Sequence, residues 1–303
     1  MPLSSGFAAP EFQAVQALFD SFLAEDPEYS AQVAVYSDGT KVVDLSGGQH
    51  LAQDSITGAY SCSKGAAAFV VGLLVQDGLL DLDRTVAHYW PEFAAHGKEA
   101  ITVRQALSHR AGLLGVEGGF ALKEFTTADG AARLAAAAPL WRPGTTFGYH
   151  SLTIGLLMEE LCRRVAGRTL QEMYDSCIRL PFGIDFFLGL PEDQEPRYRD
   201  VLYDVDPRQP WLDPLGLDGL NGNAAVSTVM ELPNHRVIRA GGMSSAGGVG
   251  SADGLARLYA AATTGLDGND AFLAPETVRI MSEEQVWGWT AHRGSTTHSP
   301  SCS

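Results

Sequence analysis

The chain has 303 residues, 45% hydrophobic and 19% charged, enough to bury a sizeable core in one large domain or two joined ones. A formal net charge of −15 with only four lysines (Lys41, Lys64, Lys98 and Lys123) argues against nucleic acid and anionic membrane surfaces as partners. Cys62, Cys162, Cys177 and Cys302 form no Cys-x-x-Cys pair, so neither a zinc site nor a disulfide framework is expected, and no cofactor is implied.

In chain order, Met1 to Pro10 has neither a basic n-region nor an apolar h-region. No apolar run reaches the ~18 residues that span a bilayer. A cytoplasmic protein is the expectation. Residues Glu11 to Ala24 place Phe12, Val15, Leu18, Phe19, Phe22 and Leu23 at helical spacing, which predicts an amphipathic helix. Gln32 to Tyr36 and Lys41 to Leu45 flank Ser37-Asp38-Gly39-Thr40, the pattern of a β-hairpin closed by Asp-Gly. From Ser61 to Gln76 the chain is almost wholly apolar at helical length, which predicts a helix buried on most sides and ended near Gly78.

Further helices are predicted at Val103–Leu107, Ala128–Ala138 and Leu152–Val165. Residues 191–223, rich in Pro, Asp and Gly, read as an irregular surface excursion. A tight Gly-rich loop at Ala240–Gly250 precedes a helix at Ala252–Thr263, with Asp253 as a first-turn acid. Thr290–Ser303 carries no period and no large aliphatic, and is predicted to be an unstructured tail.

The chemistry centres on Ser61-Cys62-Ser63-Lys64. At the start of a helix, Ser-x-x-Lys puts a hydroxyl and an amine one turn apart. Serine attacks at neutral pH only when a base removes its proton, and lysine serves as that base when desolvation lowers its pKa. The helix N-terminus offers backbone N–H groups to a developing oxyanion. The alternative is a helix cap with an exposed lysine, and the spacing alone does not decide. Cys62 is a poor nucleophile candidate, because apolar surroundings would raise its pKa. The absence of Gly-x-Ser-x-Gly argues against an α/β-hydrolase. The Gly241–Gly250 run lacks the Gly-Lys-Ser/Thr of a phosphate loop.

Tyr60-Ser-Cys-Ser-Lys-Gly-Ala resembles the nucleophile segment of the β-lactamase-related serine hydrolases, which include class C β-lactamases, penicillin-binding carboxypeptidases and family VIII carboxylesterases. Leu79-Leu-Asp-Leu-Asp, Tyr89-Trp-Pro-Glu-Phe, Ile101–Leu113, Trp141-Arg-Pro-Gly and Gly148-Tyr-His-Ser resemble its following segments in the same order. The resemblance implies an α/β (α+β) fold of the β-lactamase/transpeptidase-like type, an antiparallel sheet flanked by helices with an inserted all-helical region. Residues 1–57 and 245–289 would form the α/β part and 58–244 the helical part.

It implies Ser61, Lys64 and Tyr149 as catalytic residues, and a small-molecule ester or amide as substrate. Ser151 would face the substrate, or cap the helix that follows. His150 would line the cleft or serve in packing, and His109 would be structural. A third motif, such as Lys-Thr-Gly, His-x-Gly or Trp-x-Gly on an edge strand, is also implied. Only Trp287-Gly288-Trp289 resembles it, early and without a strand pattern, so a C-terminally truncated member with an incomplete sheet and weakened activity is expected. A short-chain carboxylesterase is the leading expectation, with an inactive scaffold and a β-lactamase or D-Ala-D-Ala carboxypeptidase as rivals.

Overall fold

A computed structural model describes residues 3–202, 216–223 and 226–291. The expected tail from 292 onward, Cys302 and residues 203–215 of the excursion lie outside the described residues. The helices of eight or more residues among the described ones are α1 (Gln13–Glu25), α2 (Cys62–Gln76), α3 (Ala128–Ala136), α4 (Thr153–Ala166), α5 (Ala252–Thr263) and α6 (Pro275–Ser282).

Two small sheets frame them. The first joins β1 (Ser5–Ala8), β3 (Thr40–Gly47) and β2 (Ala31–Ser37) in that order, all antiparallel. The β2–β3 connection is the predicted hairpin: Asp38 and Gly39 both take positive φ, 46° and 74°, as a two-residue turn with the twist of the strands requires. Phe19 of α1 packs on Val43 and Leu45 of this sheet. The apolar face predicted for α1 is only partly buried, since Leu18 and Phe22 remain exposed. At the other side of β2, Lys41 and Tyr36 both reach Asp253 at the start of α5, at 2.8 and 2.9 Å, which ties the hairpin to that helix.

The second sheet has the order β5-β7-β4-β6, with β4 (Ile56–Gly58), β5 (Phe186–Phe187), β6 (Tyr198–Arg199) and β7 (Val249–Gly250). Its β4–β6 pair is parallel, so part of the stretch read as an irregular excursion is instead paired into a sheet. This sheet aligns two distant pieces of chain. Gly58 pairs with Val249 and Tyr60 bridges Gly247, which brings the start of α2 against the Gly-rich loop.

The main core gathers around α2, whose Ala66, Ala67, Phe69, Val70, Val71 and Leu74 are buried, and around α4. Gly78, at φ 69°, ends the α2 turn as predicted, its N–H donating to the Val75 carbonyl. No helix among the described residues is long and apolar enough to cross a membrane.

Candidate active site

Ser61 sits at the N-cap of α2, immediately after Tyr60, whose φ of 44° turns the chain sharply between β4 and the helix. A left-handed tyrosine is uncommon and must be held by its surroundings. Three contacts hold it: the bridge to Gly247, the Tyr60 hydroxyl donating to the Met230 carbonyl at 2.7 Å, and the Ser63 hydroxyl donating to the Tyr60 carbonyl. Ser63 is fully buried and accepts the Gly248 N–H at 2.8 Å. Gly248 is required for that approach, because a Cβ there would lie 2.6 Å from the Ser63 oxygen and 2.8 Å from the Phe186 ring.

Ser61, Lys64 and Tyr149 come together as expected. Lys64 Nζ donates to Ser61 Oγ at 3.0 Å and to the carbonyl of Ser245 at 2.7 Å. The Tyr149 hydroxyl donates to Ser61 Oγ at 2.8 Å, and Lys64 Nζ lies 5.0 Å from the Tyr149 ring centre. Burial pushes the Lys64 pKa from 10.5 down to about 7, with the adjacent Cys62 pulling weakly the other way. Ser61 is exposed and Tyr149 is 40% exposed, so the pair lies at the protein surface. A nucleophile touched by two proton-handling groups, one of them a lysine poised to be neutral, can carry out acyl transfer.

The helix N-terminus is less available than the sequence implied. The N–H groups of Cys62, Ser63 and Lys64 donate to the carbonyls of Ala59, Tyr60 and Ser61 at 3.0, 3.0 and 3.1 Å. Among the described hydrogen bonds only the N–H of Ser61 itself in this turn is uncommitted.

His150 does not line the cleft. It is fully buried, with Nε2 accepting the Leu113 N–H at 3.0 Å and Nδ1 lying 2.7 Å from the Gly148 carbonyl. With Nε2 accepting, Nδ1 carries the proton toward the Gly148 carbonyl, and the ring pegs these two backbone segments together. His109 accepts the backbone N–H of His150 at 3.0 Å and packs 5.1 Å from the Tyr149 ring, the structural part expected of it. Ser151 does not cap α4. Leu152 stands at the N-cap with no side-chain cap bond, while the Ser151 backbone N–H donates to Asn221 Oδ1 at 2.8 Å.

Cys62 is exposed rather than set among apolar groups, so the reason first given against it does not hold. Trp287 and Trp289 are 88% and 80% exposed and belong to no strand. Two residues on, Ala291 donates its N–H to the Phe147 carbonyl at 2.8 Å, so the first residues of the expected tail are attached beside Tyr149.

Two contributors were invisible in the sequence. The Ser245 carbonyl is a backbone group in a loop that the sequence marks only as Gly-rich. Gly155 of α4 allows that loop to approach, since a Cβ there would meet the Ser245 nitrogen at 2.8 Å. Ordered glycines facing an active-site loop are a signal, but a single sequence does not separate them from ordinary helix glycines.

Comparison with known proteins gives the family. The chain is 30% identical to the "Esterase/beta-lactamase LipL" of Mycobacterium tuberculosis, over 95% of this chain and 69% of that protein. Its structure is similar to that of EstA from Arthrobacter nitroguajacolicus Rue61a, with a TM-score of 0.93 and 55% identity over 96% of this chain and 79% of that one. It is also similar to a family VIII carboxylesterase, with a TM-score of 0.83 and 32% identity over 93% and 77% of the two chains. A β-lactamase family profile matches residues 15–298. The chain belongs to the β-lactamase family and is a serine hydrolase.

Proposed function

We propose that the protein is a carboxylesterase for short-chain esters that works through an acyl-enzyme on Ser61. The observation that carries this reading is the Ser61 hydroxyl held between Lys64 and Tyr149 at 3.0 and 2.8 Å, with burial bringing the lysine pKa to about 7. Neutral Lys64 takes the Ser61 proton as Oγ bonds to the ester carbonyl carbon. The carbonyl π electrons move onto oxygen, where the Ser61 N–H supplies one donor to the oxyanion. As the tetrahedral intermediate collapses, the C–O bond to the alcohol breaks, Tyr149 gives its proton to the leaving alkoxide, and Lys64 returns the proton taken from Ser61 to the Tyr149 oxygen. Water, deprotonated by the same pair, then releases the acid and restores Ser61.

An ester substrate is supported by the relatives, which are named as esterases. The cleft would lie between an α/β part (residues 1–57 and 245–289) and a mainly helical part (58–244). A reducing compartment such as the cytoplasm suits the free thiols of Cys62, Cys162 and Cys177.

The test is a burst of p-nitrophenol from p-nitrophenyl acetate or butyrate that Ser61→Ala abolishes. Nitrocefin and a D-Ala-D-Ala peptide, run in parallel, should turn over far more slowly. No turnover together with no labelling by a fluorophosphonate would reject the enzyme reading in favour of a binding protein.

A further inference from the structure

The Ser245 carbonyl that receives the Lys64 amine has to be held in place, and its own side chain does not hold it. Ser245 is fully buried, and its hydroxyl has no hydrogen-bond partner among the described residues. The anchor is one residue earlier. Glu159 of α4 accepts, on Oε1 alone, the Ser244 N–H at 3.0 Å, the Ser244 hydroxyl at 2.5 Å and Gln171 Nε2 at 3.2 Å. Gln171 Nε2 also donates to the Gly242 carbonyl at 2.8 Å, so the loop is clasped at two points.

We propose that Glu159 is a positioning residue for the lysine base: its carboxylate fixes Ser244, and through it the Ser245 carbonyl that aims Lys64 at Ser61. The placement follows from helix geometry. Gly155 and Glu159 lie one turn apart on the same face of α4, so the glycine admits the loop where the carboxylate can grip it.

Glu159 serves here as a hydrogen-bond acceptor and not as half of an ion pair. The nearby cations are taken by its neighbour: Glu160 pairs with Arg163 at 2.5 Å and with Arg164 at 2.7 Å. The other titratable groups around it are Cys162 on the same helix and Glu172 beside Gln171. Glu159, Glu160, Arg163 and Gln171 border a cavity of about 100 Å³. Burial pushes the Glu159 pKa up to about 7, while the hydrogen bonds from Ser244 and Gln171 pull it the other way, so the loop's donors favour the charged carboxylate.

The inference rests on Lys64 acting as the base, so the experiment reads base function and Ser61 reactivity together. Inactivation by a fluorophosphonate is followed from pH 5.5 to 9.5 for the wild type, Glu159→Gln, Glu159→Ala and Ser244→Ala. Glu159→Gln keeps the acceptor oxygen and should stay within about threefold of the wild-type rate, with the same midpoint. Glu159→Ala should react at least about tenfold more slowly at its optimum, with the midpoint of its acid limb moved by about half a pH unit or more. Ser244→Ala keeps one of the two Ser244 bonds and should fall between, and it decides the matter if Glu159→Ala does not fold.

A folded Glu159→Ala, or Ser244→Ala in its place, that matches the wild type in rate and midpoint overturns the proposal. So does a slower rate with an unmoved midpoint, which would mark a purely structural role, or a Glu159→Gln variant as impaired as Glu159→Ala. A wild type that is not labelled at all overturns the esterase reading itself, a different result from any of these.

Discussion

Lys64 offers the most quantitative prediction. An ordinary lysine at pH 7 is neutral in about one molecule in 3,000, whereas one with a pKa of about 7 is neutral in about half. Desolvation against the apolar start of α2 thus supplies about a thousandfold more free base at neutral pH, equivalent to about 4 kcal/mol. The sign follows from the same displacement. The folded chain holds Lys64 neutral between about 7 and 10.5 while the unfolded chain holds it protonated, so this group's contribution to stability is lost as pH falls through that window. With Lys64 as the proposed base, activity needs the neutral form, so kcat/KM for p-nitrophenyl butyrate should rise with unit slope on a log plot to an apparent pKa near 7 and then level off. Lys64→Met keeps apolar bulk, removes the amine, and should lower kcat/KM by about 10³-fold or more while abolishing that limb. The assay is initial rate against pH in buffers of constant ionic strength. A limb with its midpoint above 9, or one that survives in Lys64→Met, would refute the assignment of Lys64 as base.

Tyr149→Phe removes the hydroxyl 2.8 Å from Ser61 and should lower kcat by about 10²–10³-fold with little change in Tm, because the ring is 40% exposed. Ser63→Ala leaves the buried Gly248 N–H unpaired and should destabilise the fold by about 1–3 kcal/mol, measured by urea denaturation. Burial raises the Glu159 pKa from 4.5 to about 7, so its stabilising share is complete below about 4.5 and lost as pH rises through about 7. Relative to Glu159→Gln, the wild type should therefore lose up to about 3 kcal/mol across that range, read from denaturation curves at each pH.

The parts of this site that were legible in the sequence are those with chemical identity and fixed spacing. Ser61 and Lys64 are one turn apart on a helix whose apolar run announced its burial, and Tyr149 stands in a segment whose neighbours follow in the family's order. Side-chain direction was harder to read. His150, next to Tyr149, points into the core while the tyrosine stays 40% exposed, a division between neighbours that residue type alone does not announce. Glu159, beside Glu160 on α4, carries no spacing signal in the sequence, because its partner Ser244 lies 85 residues away. The parallel β4–β6 pair escaped notice because strands of three and two residues carry no alternation to detect.

Helix α4 has a consequence for how this site tolerates change. The chain just before it delivers Tyr149, its first turn carries the glycine that seats the Ser245 loop, and Glu159 follows one turn later. These duties depend on rotational phase. One residue inserted between Tyr149 and Gly155 would turn the helix face by about 100° relative to the tyrosine. The hydroxyl and the carbonyl that serve Ser61 would then no longer converge, although every residue of the site would still be present. Substitutions along α4 can be graded by size and polarity, but insertions and deletions there act as a switch.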